Sequence, residues 1–202
     1  WLRRDLRLYD HASLHKALSF GGSVQPIFIF DTDILARFPN KQDRRLSFIA
    51  RTLQNIDTEL QKRGGGLLVL HGRAQEIVPK LAQVLGVAQV VAAEDFEPGT
   101  IARDAAVAQK CNLTLVKDHL IFSPKEVLKP DGTAFKVFTP YSRAWLAKLT
   151  PLCSAPYEIN DQGRYADIAT LRTKAIAAGV RALSPETMLA DMAVAVNPED
   201  DR

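Results

Sequence analysis

The sequence predicts an α/β domain in which a parallel, doubly wound sheet carries helices on both faces. Three observations predict it. Between residues 10 and 118, apolar runs of strand length alternate with amphipathic stretches of helical period. Three of the four helical stretches stop at glycine (Gly21, Gly64 and Gly86), the residue that enters the left-handed conformation without steric cost. And strands joined through helices run parallel, because the crossover returns the chain to the same end of the sheet.

The elements follow in order. Asp10 is a candidate N-cap for a helix over His11–Phe20, stopped by Gly21-Gly22. Val24–Asp31 then reads as a buried strand. The clearest helix is Gln42–Arg63, where Leu46, Ile49, Leu53, Ile56 and Leu60 recur at spacings of 3, 4, 3 and 4 and form one apolar stripe. Arg44, Arg51, Asp57 and Lys62 fall on its other face. Leu67–Leu70 is the next strand, Ala74–Leu85 the next helix, and Val87–Ala93 an apolar strand that runs into the polar segment Glu94–Gly99. Thr100 can cap a helix over Ile101–Lys110, and Leu113–Val116 closes the series. A helix starting at His11 should itself follow a strand, of which only the end, Trp1-Leu2, is present. The parent protein is therefore expected to begin a few residues earlier, with an apolar run completing that first strand.

After residue 118 the rhythm breaks. Lys129–Gly132 is a turn, Pro140–Thr150 one more helix, and Pro151, Pro156, Pro185 and Pro198 then punctuate alanine-rich fragments without a recognisable strand. The expected division is a Rossmann-like domain over residues 1–130 and an irregular, helical linker over 131–202, with residues beyond about 150 packed loosely on the domain.

Composition excludes several classes of protein. Of the 202 residues 47% are apolar and 24% charged, which is ordinary globular usage. No run approaches the roughly 20 apolar residues of a membrane helix. A formal charge of +3 does not by itself point to nucleic acid. Cys111 and Cys153 stand singly, so neither a disulfide framework nor metal spacing is visible, and a monomer in a reduced cytoplasmic compartment is expected. Glycine-rich phosphate loops are lacking, since Gly64-Gly65-Gly66 leads from helix to strand, the wrong direction for a helix N-terminus to meet phosphate. No catalytic constellation stands out, and neither does a metal site.

Five such strands commonly order as 3-2-1-4-5, and ligands bind at the carboxyl ends of the strands where that order reverses. The loops meeting there are Arg3–Asp10 and Glu94–Gly99, the two most unusual polar segments of the chain. The first concentrates Asp5 with Arg3, Arg4 and Arg7, whose guanidiniums are planar forks suited to flat heteroaromatic ligands. The second sets Asp95 and Glu97, two acceptors, on either side of Phe96. Taken alone, each segment also reads as a solvated turn.

Four segments resemble a known family in order and spacing. Trp1–Arg7 with Asp10 (WLRRDLR…D) is similar to the opening of the photolyase–cryptochrome family. The block from Arg45 through Phe48, Leu53, Ile56 and Leu60 to Gly72 resembles its next segment. Glu97-Pro98 with Ala102-Arg103-Asp104 is similar to its E-P-x-x-x-A-R-D, and Lys136–Leu146 (KVFTPYSRAWL) to a further one. The resemblance reaches to about residue 150. It implies the N-terminal antenna-binding domain of a deoxyribodipyrimidine photolyase, whose helical C-terminal half holds FAD and receives a flipped pyrimidine dimer from UV-damaged DNA. Excited reduced flavin there donates an electron to the dimer, which splits and returns it, so this fragment alone is expected to be inactive.

The resemblance also places Arg4, Asp31 and Arg45 in the antenna cleft with Asp95, Phe96 and Glu97. Deazaflavin-binding members use the carboxylates of a D-x-E-P segment, matched by Asp95 and Glu97. Folate-binding members carry Asn-Glu where this chain has Gly99-Thr100. The implied antenna is thus 8-hydroxy-5-deazaflavin or FMN in preference to methenyltetrahydrofolate. A cryptochrome photoreceptor and a stand-alone nucleotide-binding module, of the universal-stress or electron-transfer-flavoprotein kind, are the competing readings.

Overall fold

In the computed structural model, which describes residues 1–38 and 43–194, the strands lie in two small sheets with Trp1-Leu2 between them. β1 (Ile27–Asp31) pairs in parallel with β2 (Leu68–Gly72), Ile27 opposite Leu68 and Asp31 opposite Gly72. β3 (Val90–Ala93) pairs in parallel with β4 (Leu113–Val116). Leu2 bridges Phe28 in parallel, and the Trp1 nitrogen donates to the Val91 carbonyl at 2.8 Å. In place of the expected single five-stranded sheet there are thus a three-stranded and a two-stranded sheet, because Trp1-Leu2 provides too few rungs to join them.

A second correction concerns the last strand. β5 (Arg181–Leu183) pairs antiparallel with β2, Val69 opposite Leu183, so the larger sheet is mixed. Three residues with one buried side chain are too short for alternation to show in the sequence.

Helices cover both faces. α1 (Ala12–Ser19), α3 (Arg44–Lys62) and α8 (Met188–Asp191) pack over Phe28, Phe30 and Val69. α4 (Ala74–Leu85), α5 (Pro98–Ala108) and α7 (Ile168–Ala177) contribute to the cluster around Ile27, Ile29, Leu68 and Leu70. Successive residues of β1 and β2 thus enter opposite cores, as the period of two demands, and all of β1 is buried. The short α2 (Thr32–Leu35) follows β1 directly, and α6 (Phe138–Lys148) buries none of its residues. A 3-10 turn, Pro151–Ser154, follows α6.

Within α3 the predicted stripe faces the core: Leu46, Leu53, Ile56 and Leu60 are buried and Ile49 packs against them. Asp57, expected on the solvated face, is buried as well. Its carboxylate accepts the Leu67 N–H at 2.7 Å and the Gln61 amide at 2.7 Å, tying the helix to the chain entering β2. Gln42 lies outside the described residues, and Asp43 caps the helix. Two other caps differ from expectation. His11, not Asp10, caps α1, its Nδ1 accepting from Leu14 N at 3.1 Å, while Asp10 adopts φ +43 and accepts from Tyr157 N. Pro98 opens α5 with Glu97 before it, ahead of Thr100.

Contrary to the expectation of loose packing, the chain beyond residue 150 packs into the domain. Tyr165, Ala175, Val180, Leu183 and Met188 are buried. Asp161 accepts from both Arg63 (2.8 Å) and the Tyr165 hydroxyl (2.5 Å). A Cβ on Gly65 would stand 2.5 Å from that of Tyr165, so glycine there is what lets this segment close onto the end of α3. Leu183→Ala should therefore cost about 3 kcal/mol of stability, against about 0.5 or less for Leu152→Ala on the surface. Urea unfolding checks this; a near-neutral Leu183→Ala would mean that the tail is loose.

Candidate functional site

The two polar loops do meet. The first folds back on the start of α1 because Asp5 is buried there, accepting the Arg3 N–H at 2.7 Å and the Ser13 hydroxyl at 3.4 Å, with His11 Nε2 3.3 Å away. Burial holds the His11 imidazole below its ordinary value of 6.5. With Nδ1 accepting from the backbone, the neutral ring carries its proton on Nε2, towards Asp5. Arg7 fixes the other end of the loop, donating to Asp118 at 2.8 and 2.9 Å.

Arg3 Nη1 donates to both oxygens of Asp104, at 2.8 and 2.7 Å, and both side chains are buried. Arg103 donates to the same carboxylate at 3.2 Å and approaches Asp31 at 3.7 Å. Both guanidiniums lie over the Trp1 ring, at 4.9 and 4.7 Å from its centroid. The loop, α5 and the end of β1 are thereby locked together at the carboxyl ends of the strands.

Above this network opens a cleft of about 460 Å³, a size that suits a compact organic ligand. Phe28, Phe30, Leu46 and Ile49 give it apolar surface, α2 with Ile34, Leu35 and Phe38 one side, and Asp95, Glu97, Gly99 and Arg103 another. Arg4 lies 3.2 Å from Asp95 and 2.5 Å from Glu97. The hydrogen bond to Glu97 raises the Arg4 pKa further. Partial burial opposes the charge on Asp95, yet the N–H groups of Glu97 and Phe96 and the Arg4 guanidinium outweigh it and hold its carboxyl below the usual range. A second cavity of about 420 Å³ lies between α1 and α4, lined by Leu14, Ala17, Val78 and Leu81 and by no Asp, Glu, Lys or Arg. Only the first cavity offers a flat ligand both an apolar bed and a charged edge.

Of the predicted residues, Arg4, Asp31, Asp95 and Glu97 line this cleft. Phe96 is absent from the lining and packs near His119, ring centroids 6.0 Å apart. Arg45 is absent too: it folds over Phe38 and donates to Asp43 at 2.7 and 2.8 Å. Arg3, which stood in the first polar loop, lines the cleft too, whereas the sequence reading did not assign Trp1, Arg37 and Arg103 to it. Arg103 stood in a quoted motif, but its approach to Asp31 joins segments far apart in sequence; Arg37 follows a helix of four residues, too short for periodicity.

The family model described as DNA photolyase matches residues 1–158. The chain belongs to the DNA photolyase family. It is 32% identical to a deoxyribodipyrimidine photo-lyase of Synechococcus over 80% of its own length and 34% of the relative's. The corresponding figures are 34%, 75% and 34% for the enzyme of Thermus thermophilus, and 31%, 65% and 26% for Cryptochrome-1 of Aedes aegypti. Among solved structures, a class III photolyase from Agrobacterium tumefaciens superposes with a TM-score of 0.71 at 25% identity, over 83% of this chain and 34% of that one. An archaeal photolyase from Sulfolobus tokodaii gives 0.68 at 27%, over 86% and 40%. The chain thus spans about a third of the length of the photolyases it matches. Among the described residues no helix is long and apolar enough to cross a membrane.

Two outcomes follow from the geometry. Asp104→Asn, which strips the buried Arg3 of its counter-charge, should destabilise the photolyase-family domain by about 3 kcal/mol. Arg4→Ala at the exposed pair should cost about 1 or less, both measured by chemical denaturation. And because His11 is neutral when folded, its contribution is complete above pH 6.5 and is lost as pH falls below it, where only the unfolded chain takes up the proton. Unfolding free energy measured from pH 7.5 to 5 should drop on the acid side, and His11→Asn should flatten that drop.

Proposed function

We propose that this chain is the light-harvesting domain of a DNA photolyase and that the 460 Å³ cleft holds its antenna chromophore. The observation that carries the reading is the meeting of an apolar bed with the Arg4–Asp95–Glu97 edge at the carboxyl ends of β1 and β3. A flat tricyclic ring would lie on Phe28, Phe30 and Ile49 with its polar edge towards Asp95. That division of surface fits 8-hydroxy-5-deazaflavin or FMN, and Gly99-Thr100 offers no side-chain amide or carboxylate of the kind the folate-binding members use. Arg45 and Phe96 act on this site from outside its lining, Phe96 by shaping the loop. When bound, the antenna supplies excitation; this chain's residues hold and orient it and keep water from the ring.

In the same reading the order 3-2-1-4-5 describes the parallel segments with Leu2 as the middle rung. Residues 131–202 lead towards a helical part that binds FAD, contacts UV-damaged DNA and carries out dimer repair, in a monomeric cytoplasmic protein. The Sulfolobus tokodaii photolyase, whose structure holds two FAD molecules and implicates a novel light-harvesting cofactor, supports a flavin in that role. The cryptochrome relatives support a second reading, a photoreceptor with the same cleft; light-dependent splitting of cyclobutane dimers by the full-length protein decides for the first.

The cleft is tested by titrating 8-hydroxy-5-deazaflavin, FMN and methenyltetrahydrofolate into the full-length protein. Asp95→Ala should weaken the chromophore that binds by roughly 10- to 150-fold, the worth of one hydrogen bond to a charged group. Glu97→Ala should cost less, since that carboxylate is mostly exposed. Unchanged binding in both variants would overturn the assignment.

A further inference from the structure

The charges around the cleft balance in number but not in pairing. Its lining includes four carboxylates, Asp31, Asp33, Asp95 and Glu97, and four guanidiniums, of Arg3, Arg4, Arg37 and Arg103. Every carboxylate has a cationic partner: Asp31 faces Arg103 at 3.7 Å, Asp33 faces Arg73 at 3.2 Å, and Asp95 and Glu97 share Arg4. Arg3 and Arg103 are matched by Asp104, which lies behind the lining. Arg37 is left over. Among the described residues no carboxylate lies within ion-pair distance of it, and Asp33, on the short helix before it, is turned to Arg73.

Its position is as telling as its charge. Arg37 leaves the chain just after α2, on the β1 side of the cleft. Its Nη2 and Nη1 lie 3.7 and 3.9 Å from the point where a Cβ on Gly99 would stand, on the β3 side. The guanidinium therefore reaches from the α2 side of the cleft to Gly99 at the start of α5. At those distances a Cβ on Gly99 would make ordinary van der Waals contact with the fork, which thus sits against the first turn of α5. The first turn of α5, with Gly99 and Thr100 in the lining and no side-chain cap, adds the positive end of its dipole on the same side.

We propose that Arg37 determines the ligand specificity of the cleft by pairing with an anionic tail, a phosphate monoester, carried by the flat chromophore. This rests on the reading of the cleft as a chromophore site and deepens it. A ring bedded on the apolar floor has its polar edge satisfied at Asp95, and a tail leaving the mouth meets a planar fork with no other partner, the geometry that suits phosphate oxygens. A neutral ligand of the same ring would leave that fork facing water.

FMN and riboflavin, which share a ring and differ by one phosphate, separate the two ideas. Each is titrated into the full-length protein and its Arg37→Ala and Arg37→Lys variants, at low and high salt. The wild type should bind FMN about 10-fold more tightly than riboflavin, the low end for a charge-assisted contact because Arg37 is exposed. Arg37→Ala should abolish the preference, FMN falling to the affinity of riboflavin. Arg37→Lys should keep part of it, and salt should reduce it. Equal binding of the two flavins by the wild type, or a preference that survives Arg37→Ala, would overturn the role of Arg37 and leave the chromophore site standing. If neither flavin binds, both proposals fall for flavins.

Discussion

One buried carboxylate holds the functional end of this domain together. Asp104 sits on α5, where it accepts from Arg3 at the start of the chain and from its neighbour Arg103, which in turn reaches towards Asp31 at the end of β1. Three segments distant in sequence are thereby fixed around the Trp1 ring. An arginine as buried as Arg3 is tolerable only with its counter-charge in place. The same carboxylate compensates for the thin joint between the sheets, where Trp1-Leu2 contributes a single bridge to β1 and one hydrogen bond to β3.

From that anchor the cleft follows. Fixing Arg3 sets the direction of Arg4, which leans outward to Asp95 and Glu97, and Arg103, fixed on Asp104, joins that wall to Asp31 at the end of β1. The polar loops become two walls, and the apolar side chains of β1 and α3 close the base between them. Light harvesting asks little chemistry of a protein: a rigid bed, a defined polar edge and exclusion of water, so that a cofactor is held at fixed distance and orientation. The buried ion network provides the rigidity, and the apolar bed the dry contact.

Much of this was legible in the sequence, and the misses have physical causes. The stripe from Leu46 to Leu60 predicts the buried face of α3 because a helix repeats every 3.6 residues whatever it packs against. Asp57 escaped that reading, since its burial depends on the Leu67 N–H, a partner periodicity does not reveal. β5 escaped because three residues cannot display alternation, and the packed tail because Tyr165, Val180 and Leu183 are buried by a return of the chain rather than by local pattern. The reversal of strand order pointed to both loops of the cleft yet did not give side-chain directions. Phe96 and Arg45 sit beside the site and turn away from it, drawn by His119 and by Asp43 with Phe38. Arg37 carried no signal at all, and became visible only when charges were paired in space.

The most direct measurement of the central claim is a crystal structure of the full-length protein soaked or co-crystallised with its chromophore. The account predicts the ring in the cleft between α2 and the Asp95–Gly99 loop, bedded on Phe28 and Phe30, with a polar edge within hydrogen-bond distance of Asp95. A chromophore lodged in the uncharged cavity between α1 and α4, or anywhere else with the cleft left to solvent, would contradict it.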